Sequence, residues 1–306
     1  MTDAQTGRTP TWRPVKRYLW MLGAIVPGMV GLAWLLVHLT GQQVFWWVGP
    51  MLAFVVIPVL DQLIGADDTS ASGDIVEDLE NDPFYRWVNY LYLPNQYLSL
   101  IFACWLFSGG GWLTMSTVDK IGLMVTVGIV GGIAINAAHE LGHRRASAEK
   151  RLSKIALAQT GYGHFFVEHN RGHHLRVATP EDPASARLDE SVYHFIPRSV
   201  LGGLRSAWHL ESVRLAQAGR SRWSLRNDIL NAWLLSAAIF AGLVAWFGAV
   251  IIPWLIGQAI IGVCLLETVN YLEHYGLRRQ RLADGRYERV GQRHSWNSDT
   301  LIANVF

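Results

Sequence analysis

Residues 121–143 read IGLMVTVGIVGGIAINAAHELGH, an apolar run that ends in a polar group with two histidines four positions apart. The apolar part, 121–138, contains no Asp, Glu, Lys or Arg and approaches the roughly 20 residues that a helix needs to cross a hydrocarbon core. A helix of a soluble protein would interleave polar residues with the apolar ones. The stretch therefore predicts a membrane-spanning helix that carries metal-binding side chains to one membrane surface.

The composition of the whole chain supports a membrane protein. Only 16% of the 306 residues are charged, against about 25% in soluble proteins, and the mean hydropathy is +0.19. The net charge of +2 is too small to indicate nucleic-acid binding. Cys104 and Cys264 both lie inside apolar stretches, which is typical of small buried side chains and not of a disulfide or a metal site.

Six stretches qualify as membrane spans by length and composition. They are residues 18–39, 44–64, 93–111, 121–138, 229–247 and 249–271. Pro94 and Asn95 interrupt the start of the third, so an alternative places Phe84–Tyr92 at the membrane interface. The sequence predicts an all-α membrane protein with one membrane domain over 1–306, in which six transmembrane helices carry a cytosolic, histidine-rich helical cap.

The distribution of basic residues predicts the orientation. Residues 139–228 contain 14 Lys and Arg against 9 Asp and Glu, and the positive-inside rule places such a region in the cytoplasm. Both termini are expected on the same, cytosolic side. The sequence therefore predicts a multi-pass protein of the bacterial inner membrane with a cytosolic metal-site region over 139–228 and 272–306. Ten of the eleven histidines then lie on the cytosolic side, and His38 is expected to be an interfacial residue at the other side.

Three segments at the cytosolic ends of predicted helices carry candidate metal ligands: HELGH at 139–143, EHNRGHH at 168–174 and NYLEHYGL at 270–277. Residues four apart share a helix face, so His169 and His173 are expected to point at one ion. His174 is turned about 100° away and is expected to reach a second ion. The candidate ligands are His139, His143, His169, His173, His174 and His274.

Other functions use parts of the same pattern. HExxH alone is typical of zinc proteases, in which Glu140 would act as the base and one further ligand would complete the site. A binding or transport protein with hydrogen-bonded structural histidines is another alternative. Six candidate ligands exceed the needs of one zinc ion, and a second metal site beside a hydrocarbon-filled bundle favours iron and oxygen chemistry.

The three segments resemble those of the integral-membrane di-iron alkane 1-monooxygenases, relatives of the membrane fatty-acid desaturases and xylene monooxygenases. HELGH and EHNRGHH mark the superfamily, whereas NYLEHYGL narrows it to alkane hydroxylases. The resemblance covers nearly the whole chain, including TPEDPASAR at 179–187. It implies that the six histidines hold two non-haem iron ions, which use O2 to hydroxylate the terminal methyl group of medium- and long-chain n-alkanes to 1-alkanols.

The resemblance also implies an electron donor, because no nucleotide-binding fingerprint occurs in the sequence. Two electrons are expected from rubredoxin, itself reduced by a rubredoxin reductase. The candidate docking site is a basic surface formed by Arg144, Arg145, Lys150, Arg151 and Lys154. The alternative is that these residues only set the orientation of the protein in the membrane. Alternatives within the superfamily are a fatty-acyl desaturase or hydroxylase and an aryl-methyl monooxygenase.

Carboxylates beside metal-binding imidazoles orient the rings. The candidates are Glu140, Glu168, Asp182 and Glu273, and the resemblance implies that Asp182 and Glu273 lie near the irons. Asn270 and Glu267 precede His274 by four and seven residues on one helix face. Solvated or salt-bridged side chains are the alternative for each carboxylate, but Glu267 lies within a span, where an ionisable group indicates function.

Four other histidines are placed outside the ligand set: His164, His194, His209 and His294. A helical hydrogen bond to Glu168 is expected to account for His164. His294 belongs to an HSWNS segment at 294–298, which in the resembling family precedes a further box, HSDHH, with three more ligands. No such box follows before Phe306. The expectation is that the sequence is truncated, and the alternative is that the natural protein lacks part of its metal site. The chain as given is expected to bind metal poorly or to be inactive.

Overall fold

The computed structural model describes residues 18–65, 82–144, 146–296 and 300. Within these residues the regular secondary structure is helical, apart from an antiparallel bridge between Arg281 and Tyr287 and a bridge residue at Thr300. Several charged or polar parts of the chain lie outside the described residues: the N-terminal basic residues Arg8, Arg13, Lys16 and Arg17, most of the acidic stretch 61–82, Arg145, and Asn297 and Ser298 of the HSWNS segment.

Nine helical segments follow one another in the described residues, before a short 3-10 turn at Gln292–His294. They are α1 (Met21–Thr40), α2 (Gln43–Ile64), α3 (Pro83–Phe107), α4 (Thr117–His143), α5 (Ser147–Ala158), α6 (Phe165–Glu168, His169–His173 and His174–Arg176 in succession), α7 (Val192–Gln217), α8 (Asp228–Phe247) and α9 (Ala249–His274). The middle piece of α6 is a π-helical turn.

Five of these helices are long and apolar enough to cross a membrane: α1, α2, α4, α8 and α9. The predicted multi-span, all-helical architecture is confirmed, but a count of six spans is not. The predicted third span lies in α3, which begins ten residues earlier, at Pro83, and continues through Pro94. Phe84–Tyr92 is therefore the first part of that helix.

Helix α4 is the centre of the bundle. Within its most apolar window 72% of the residues are buried, against 11–39% in the other four candidate spans. Hydrogen bonds from polar side chains connect α4 to the neighbouring helices. The Tyr92 hydroxyl of α3 donates to the Val130 carbonyl at 2.8 Å, and the Thr126 hydroxyl of α4 donates to the Trp46 carbonyl of α2 at 2.8 Å.

Glycines bring the backbones of α4 and α9 into direct contact. A Cβ added at Gly262 would lie 3.0 Å from the Gly128 carbonyl oxygen and 3.1 Å from the Gly132 nitrogen. A Cβ at Gly132 would lie 3.1 Å from the Gly262 carbonyl oxygen. Only residues without a side chain fit at this crossing. The close approach places the C-terminal ends of the two helices, with His139 and His274, beside each other.

The segment after α5 turns back into the bundle. Its buried Gln159 donates to the Gln258 side chain of α9 at 3.2 Å and to the Val127 carbonyl of α4 at 3.5 Å. Gln258 returns a hydrogen bond to the Gln159 carbonyl at 2.9 Å. Because Val127 precedes His139 by twelve residues, this turn lies about 18 Å below that histidine along α4. Helix α6 therefore starts inside the bundle and rises towards its histidine-bearing end.

Replacing Gly262 with Ala is expected to destabilise the protein by about 1–3 kcal/mol, because the methyl group forces the two backbones apart. The matched control is Gly242→Ala in α8, where an added Cβ meets no atom within 4 Å. Thermal unfolding of the purified protein in detergent would show a lower Tm for the first variant only. Equal Tm values for the two variants would contradict the role given to this crossing.

Candidate metal centre

Four histidines converge at the ends of α4 and α6. The side-chain nitrogens of His139, His143, His169 and His174 all lie within 4.8 Å of one another. The Nε2 atoms of His139 and His143 are 2.9 Å apart, those of His143 and His174 are 3.1 Å apart, and those of His169 and His174 are 2.9 Å apart. His139 and His169 are half-buried, whereas His143 and His174 are exposed.

Hydrogen bonding alone does not account for this arrangement. A neutral imidazole nitrogen either carries one proton or offers one lone pair. The Nε2 atoms of His143 and His174 each contact two other Nε2 atoms, so the three contacts cannot all be hydrogen bonds. Four converging lone pairs suit a metal cation. Separations near 3.0 Å match ligands that meet at right angles about 2.1 Å from an ion, whereas a tetrahedral zinc site needs about 3.4 Å.

The π-helical turn at His169–His173 decides which histidines meet. Sequence periodicity predicted that His169 and His173 would face one ion and His174 another. The structure instead joins His174 to His169, while the ring of His173 turns towards His274, with 4.9 Å between the ring centroids. The prediction assumed 3.6 residues per turn, and the wider π turn changes which side chains share a face.

His173 and His274 begin a second group of candidate ligands. Both rings are buried, at 6% exposure each. His173 Nδ1 lies 3.0 Å from Asp182 Oδ2, and His274 Nε2 lies 3.9 Å from the Glu273 carboxylate. The rings of His169 and His173 are stacked with centroids 5.2 Å apart, so the second group adjoins the first.

Three of the candidate rings have a polar contact at Nδ1, on the side of the ring away from Nε2. His139 Nδ1 lies 3.3 Å from the carboxylate of Glu140. His173 Nδ1 faces Asp182, and His274 Nδ1 donates to the His294 carbonyl at 3.4 Å. Each of these contacts leaves Nε2 available on the other side of the ring. Contacts of this kind fix the tautomer and orientation of metal-binding histidines.

The electrostatics favour the neutral form of His169 and His174, which metal binding requires. Burial lowers the pKa of His174 to about 4, and the neighbouring imidazoles add to the effect. Burial and the same neighbours lower the pKa of His169 well below its usual value. Burial also lowers the pKa of His173, but the hydrogen bond to Asp182 outweighs it and leaves the pKa raised.

Asp182 is fixed by the loop that carries it. Its Oδ2 accepts from Ser185 Oγ at 2.6 Å, and Ser185 accepts in turn from the Ala178 amide. Burial raises the pKa of Asp182, but the hydrogen bonds from His173 and Ser185 outweigh it and hold the pKa below its usual value. Arg198 of α7 donates to the carbonyls of Pro183 and Ser185, so it holds both sides of this turn.

The remaining predicted residues lie around these groups. Glu168 accepts from Arg176 at 2.6 Å. His164 Nε2 and Glu168 Oε2 both lack a partner, so the expected side-chain bond from His164 is absent from the described structure. Glu267 is 1% exposed and accepts from Tyr162 at 2.6 Å and from Asn270 at 3.4 Å. Glu273 is half-exposed.

Sequence reasoning missed several contributors. His294 orients His274 through its backbone carbonyl, and only its place in the HSWNS segment drew attention to it. Ser185 and Arg198 act on Asp182 through the loop, which no spacing predicts.

His194 lies outside the site, bonded to Glu190 at 3.0 Å. His38 stacks on Trp34 near the C-terminal end of α1.

Comparison with known proteins identifies the family. The fatty acid desaturase family matches residues 120–306, which include all candidate ligands. The alkane 1-monooxygenase of Acinetobacter baylyi is 42% identical over 295 residues, or 95% of this chain and 71% of that protein. That of Pseudomonas putida is 40% identical over 298 residues, or 97% of this chain and 73% of that protein. The chain belongs to the alkane 1-monooxygenase family.

A more distant relative matches only part of the chain. The xylene/toluene monooxygenase hydroxylase component of Pseudomonas putida is 28% identical over 160 residues, or 52% of this chain and 43% of that protein. Family membership and the histidine cluster together indicate an oxidoreductase with a non-haem iron centre. The resemblance inferred from the three histidine segments is confirmed.

Replacing Asp182 with Asn is expected to weaken metal binding by roughly 10- to 100-fold, because the His173 ring loses the charged partner that orients it. Titration of the metal-free protein with Co2+, followed by visible absorption, measures the affinity. Asp189→Asn is the matched control, since that side chain is exposed in the same loop. An unchanged affinity in the Asp182 variant would rule out this role.

Glu190 supplies a pH-dependent part of the stability. Burial raises its pKa, but two hydrogen bonds from Arg198 outweigh it and lower the pKa to about 2. The folded-state pKa lies below the usual 4.5, so the stabilisation is present above pH 4.5 and is lost as the pH falls towards 2.

Glu190→Gln is therefore expected to lower the free energy of unfolding by about 1–3 kcal/mol near pH 7. The difference in Tm from the unaltered protein should shrink as the pH falls below 4.5. Asp284→Asn, at an exposed pair with Arg286, should leave Tm unchanged and serves as the control. A Tm difference that is constant from pH 7 to pH 3 would refute the assignment.

Proposed function

We propose that this protein hydroxylates the terminal methyl group of medium- and long-chain n-alkanes to give 1-alkanols. The observation that carries the proposal is the convergence of four Nε2 atoms at the end of an apolar bundle, in a chain about 40% identical to alkane 1-monooxygenases over most of its length. The reaction consumes one alkane, one O2, two electrons and two protons, and it yields one alkanol and one water.

Two iron ions are proposed, because the six histidines form two adjoining groups. The first ion would be held by His139, His143, His169 and His174, and the second by His173 and His274 with Asp182 behind His173. When bound, the irons would supply oxygen activation by electron transfer. Glu140 and Asp182 would orient two of the rings, while Glu168, Glu267, Asn270 and Glu273 would complete the polar surroundings.

The surroundings of the first group suit an apolar substrate on one side. Phe165 stacks on His169 with ring centroids 4.8 Å apart. Ile135 and Ala138 are buried in the same part of α4, next to His139. A linear chain held among such side chains would present its end to the metal ions, and this positioning lowers the entropic cost of the reaction. The apolar wall would also keep bulk water away from the reacting carbon.

Electrons would arrive from the opposite side, where His143 and His174 are exposed. Rubredoxin, reduced by rubredoxin reductase, is the proposed donor. Arg144, Lys150 and Arg151 lie near this surface and would attract an acidic protein. Lys154 is removed from the docking set, because it forms an ion pair with Asp228 at 2.7 Å. The alternative is that the basic residues only set the orientation of the protein in the membrane.

The proposed location is the bacterial inner membrane, with both termini and the histidine-bearing end in the cytoplasm. The five apolar helices support a multi-pass protein. The excess of basic residues in 139–228 supports the orientation.

The function is tested by incubating membranes that contain the full-length protein with octane or hexadecane, O2, rubredoxin, its reductase and NADH. We expect 1-octanol or 1-hexadecanol by gas chromatography and a loss of at least 100-fold in the His169→Ala variant. His209→Ala is the control, because His209 is exposed on α7. Consumption of an acyl chain or an aryl-methyl substrate without 1-alkanol would assign the protein to the alternative oxygen chemistry.

Metal analysis of the same preparations separates the remaining alternatives. About two irons per chain are expected. One zinc per chain with peptide cleavage would favour an intramembrane zinc protease. Preserved solute flux in the His169→Ala variant, with no metal in either protein, would indicate a transporter.

A further inference from the structure

A small cavity lies behind the histidines, between α6, α7 and α9. Its volume is about 20 Å³, and its lining includes His164, Glu168, Gly203 and Glu267 beside His169 and His173. A cavity of roughly 10–15 Å³ is enough to hold one water molecule. The mechanism proposed above gives this cavity no role.

Three buried polar atoms of the lining have no hydrogen-bond partner of good geometry within the described part of the chain. They are His164 Nε2, Glu168 Oε2 and Glu267 Oε2. The residues that carry them are 6%, 6% and 1% exposed. A buried polar atom without a partner is costly, so three around one cavity indicate a shared ligand.

The chemistry of these atoms identifies the class of ligand. Two are carboxylate oxygens, which accept hydrogen bonds unless protonated, and the third is a ring nitrogen that donates or accepts according to its tautomer. Burial lowers the pKa of His164 to about 4, so the ring is neutral near pH 7. Water both donates and accepts, and buried waters typically make about three hydrogen bonds.

A metal cation fits less well than water. Ligand atoms that share a cation at about 2.0–2.4 Å lie within about 4.8 Å of one another. Among the described residues that limit is met by the four-histidine cluster and not by His164, Glu168 and Glu267 together. A water molecule at hydrogen-bonding distance spans atoms up to about 5.6 Å apart. The cavity volume also suits one water.

We propose that this cavity binds a water molecule that bridges His164, Glu168 and Glu267. Glu168 directly precedes the π turn with His169 and His173, and Glu267 lies two helical turns before His274 on α9. The water thereby joins the two elements that carry these candidate ligands, beside the direct bond from Tyr162 to Glu267. Glu267 and His164 act as positioning residues through the water. This positioning role rests on the proposed metal centre, whereas the water site does not.

Cryo-electron microscopy of the intact protein in a lipid nanodisc, at a resolution that shows ordered water, tests the site. We expect one density peak about 2.7–3.0 Å from each of the three atoms, unchanged after treatment with EDTA. A peak about 2.2 Å from the atoms that EDTA removes would overturn the proposal in favour of a cation. Direct bonding of Glu267 Oε2 to the nearby Ser199 hydroxyl and of Glu168 Oε2 to the Ser206 hydroxyl, with the cavity closed, would overturn it as well.

The Gly203→Ala variant tests the positioning role. An added Cβ there meets only Glu168 Cγ, at 3.6 Å, so a methyl group enters the cavity without a clash and displaces the water. We expect loss of the density peak and a shifted Co2+ absorption spectrum, with at least tenfold weaker Co2+ binding. Gly242→Ala, which makes the same substitution in an open part of α8, should retain the spectrum and the affinity of the unaltered protein.

The two measurements separate the possible failures. A water peak in the unaltered protein with an unchanged Co2+ spectrum in Gly203→Ala would overturn the positioning role alone. Normal alkane hydroxylation by the unaltered protein without a peak in an open cavity would overturn the water site and leave the proposed function intact.

Discussion

The backbone contact between α4 and α9 is the constraint on which the metal centre depends. Gly128, Gly132 and Gly262 allow the two helices to approach until backbone atoms touch. His139 lies seven residues after Gly132, and His274 lies twelve after Gly262, so the same approach sets the separation of the two ends. Side chains at the crossing would move candidate ligands apart even though they lie several turns away. The packing of the membrane bundle therefore determines the geometry at its end.

The sequence predicts those parts of the site that follow regular helical spacing. His139 and His143 lie on one face of a continuous helix, and Asn270 and Glu267 precede His274 as expected. The grouping of His169, His173 and His174 was predicted wrongly, because one changed hydrogen-bond register in α6 rotates the later side chains. No residue in EHNRGHH distinguishes a π turn from an α turn. The difference depends on contacts with α4 and α9, which spacing does not contain.

Burial of polar segments was the second property beyond the reach of the sequence. Residues 159–164 contain Gln, Thr and His and lie in a basic region, so hydropathy places them outside the bundle. Reciprocal hydrogen bonds join Gln159 and Gln258 within it: the Gln159 side chain donates to the Gln258 side chain, and Gln258 donates to the Gln159 carbonyl. Helix α3 shows the same effect, since Gln96 donates to the Ala156 carbonyl at 3.0 Å. Hydropathy identifies helices that face lipid and misses polar residues whose partners come from distant segments.

The histidines lie between an apolar interior and an open face. This position suits two opposing requirements of the proposed chemistry. An alkane must come from the hydrocarbon, whereas electrons must come from a water-soluble protein. His169 has Phe165 against its ring, while His143 and His174 are exposed on the other side of the same cluster. A site buried wholly in the bundle would be closed to the electron donor, and a site on a loop would lose the alkane to water. Ligands on the last turns of the spanning helices α4 and α9, together with those of α6, would meet both requirements, because each spanning helix would contribute its apolar face to the substrate and its last turn to the metal.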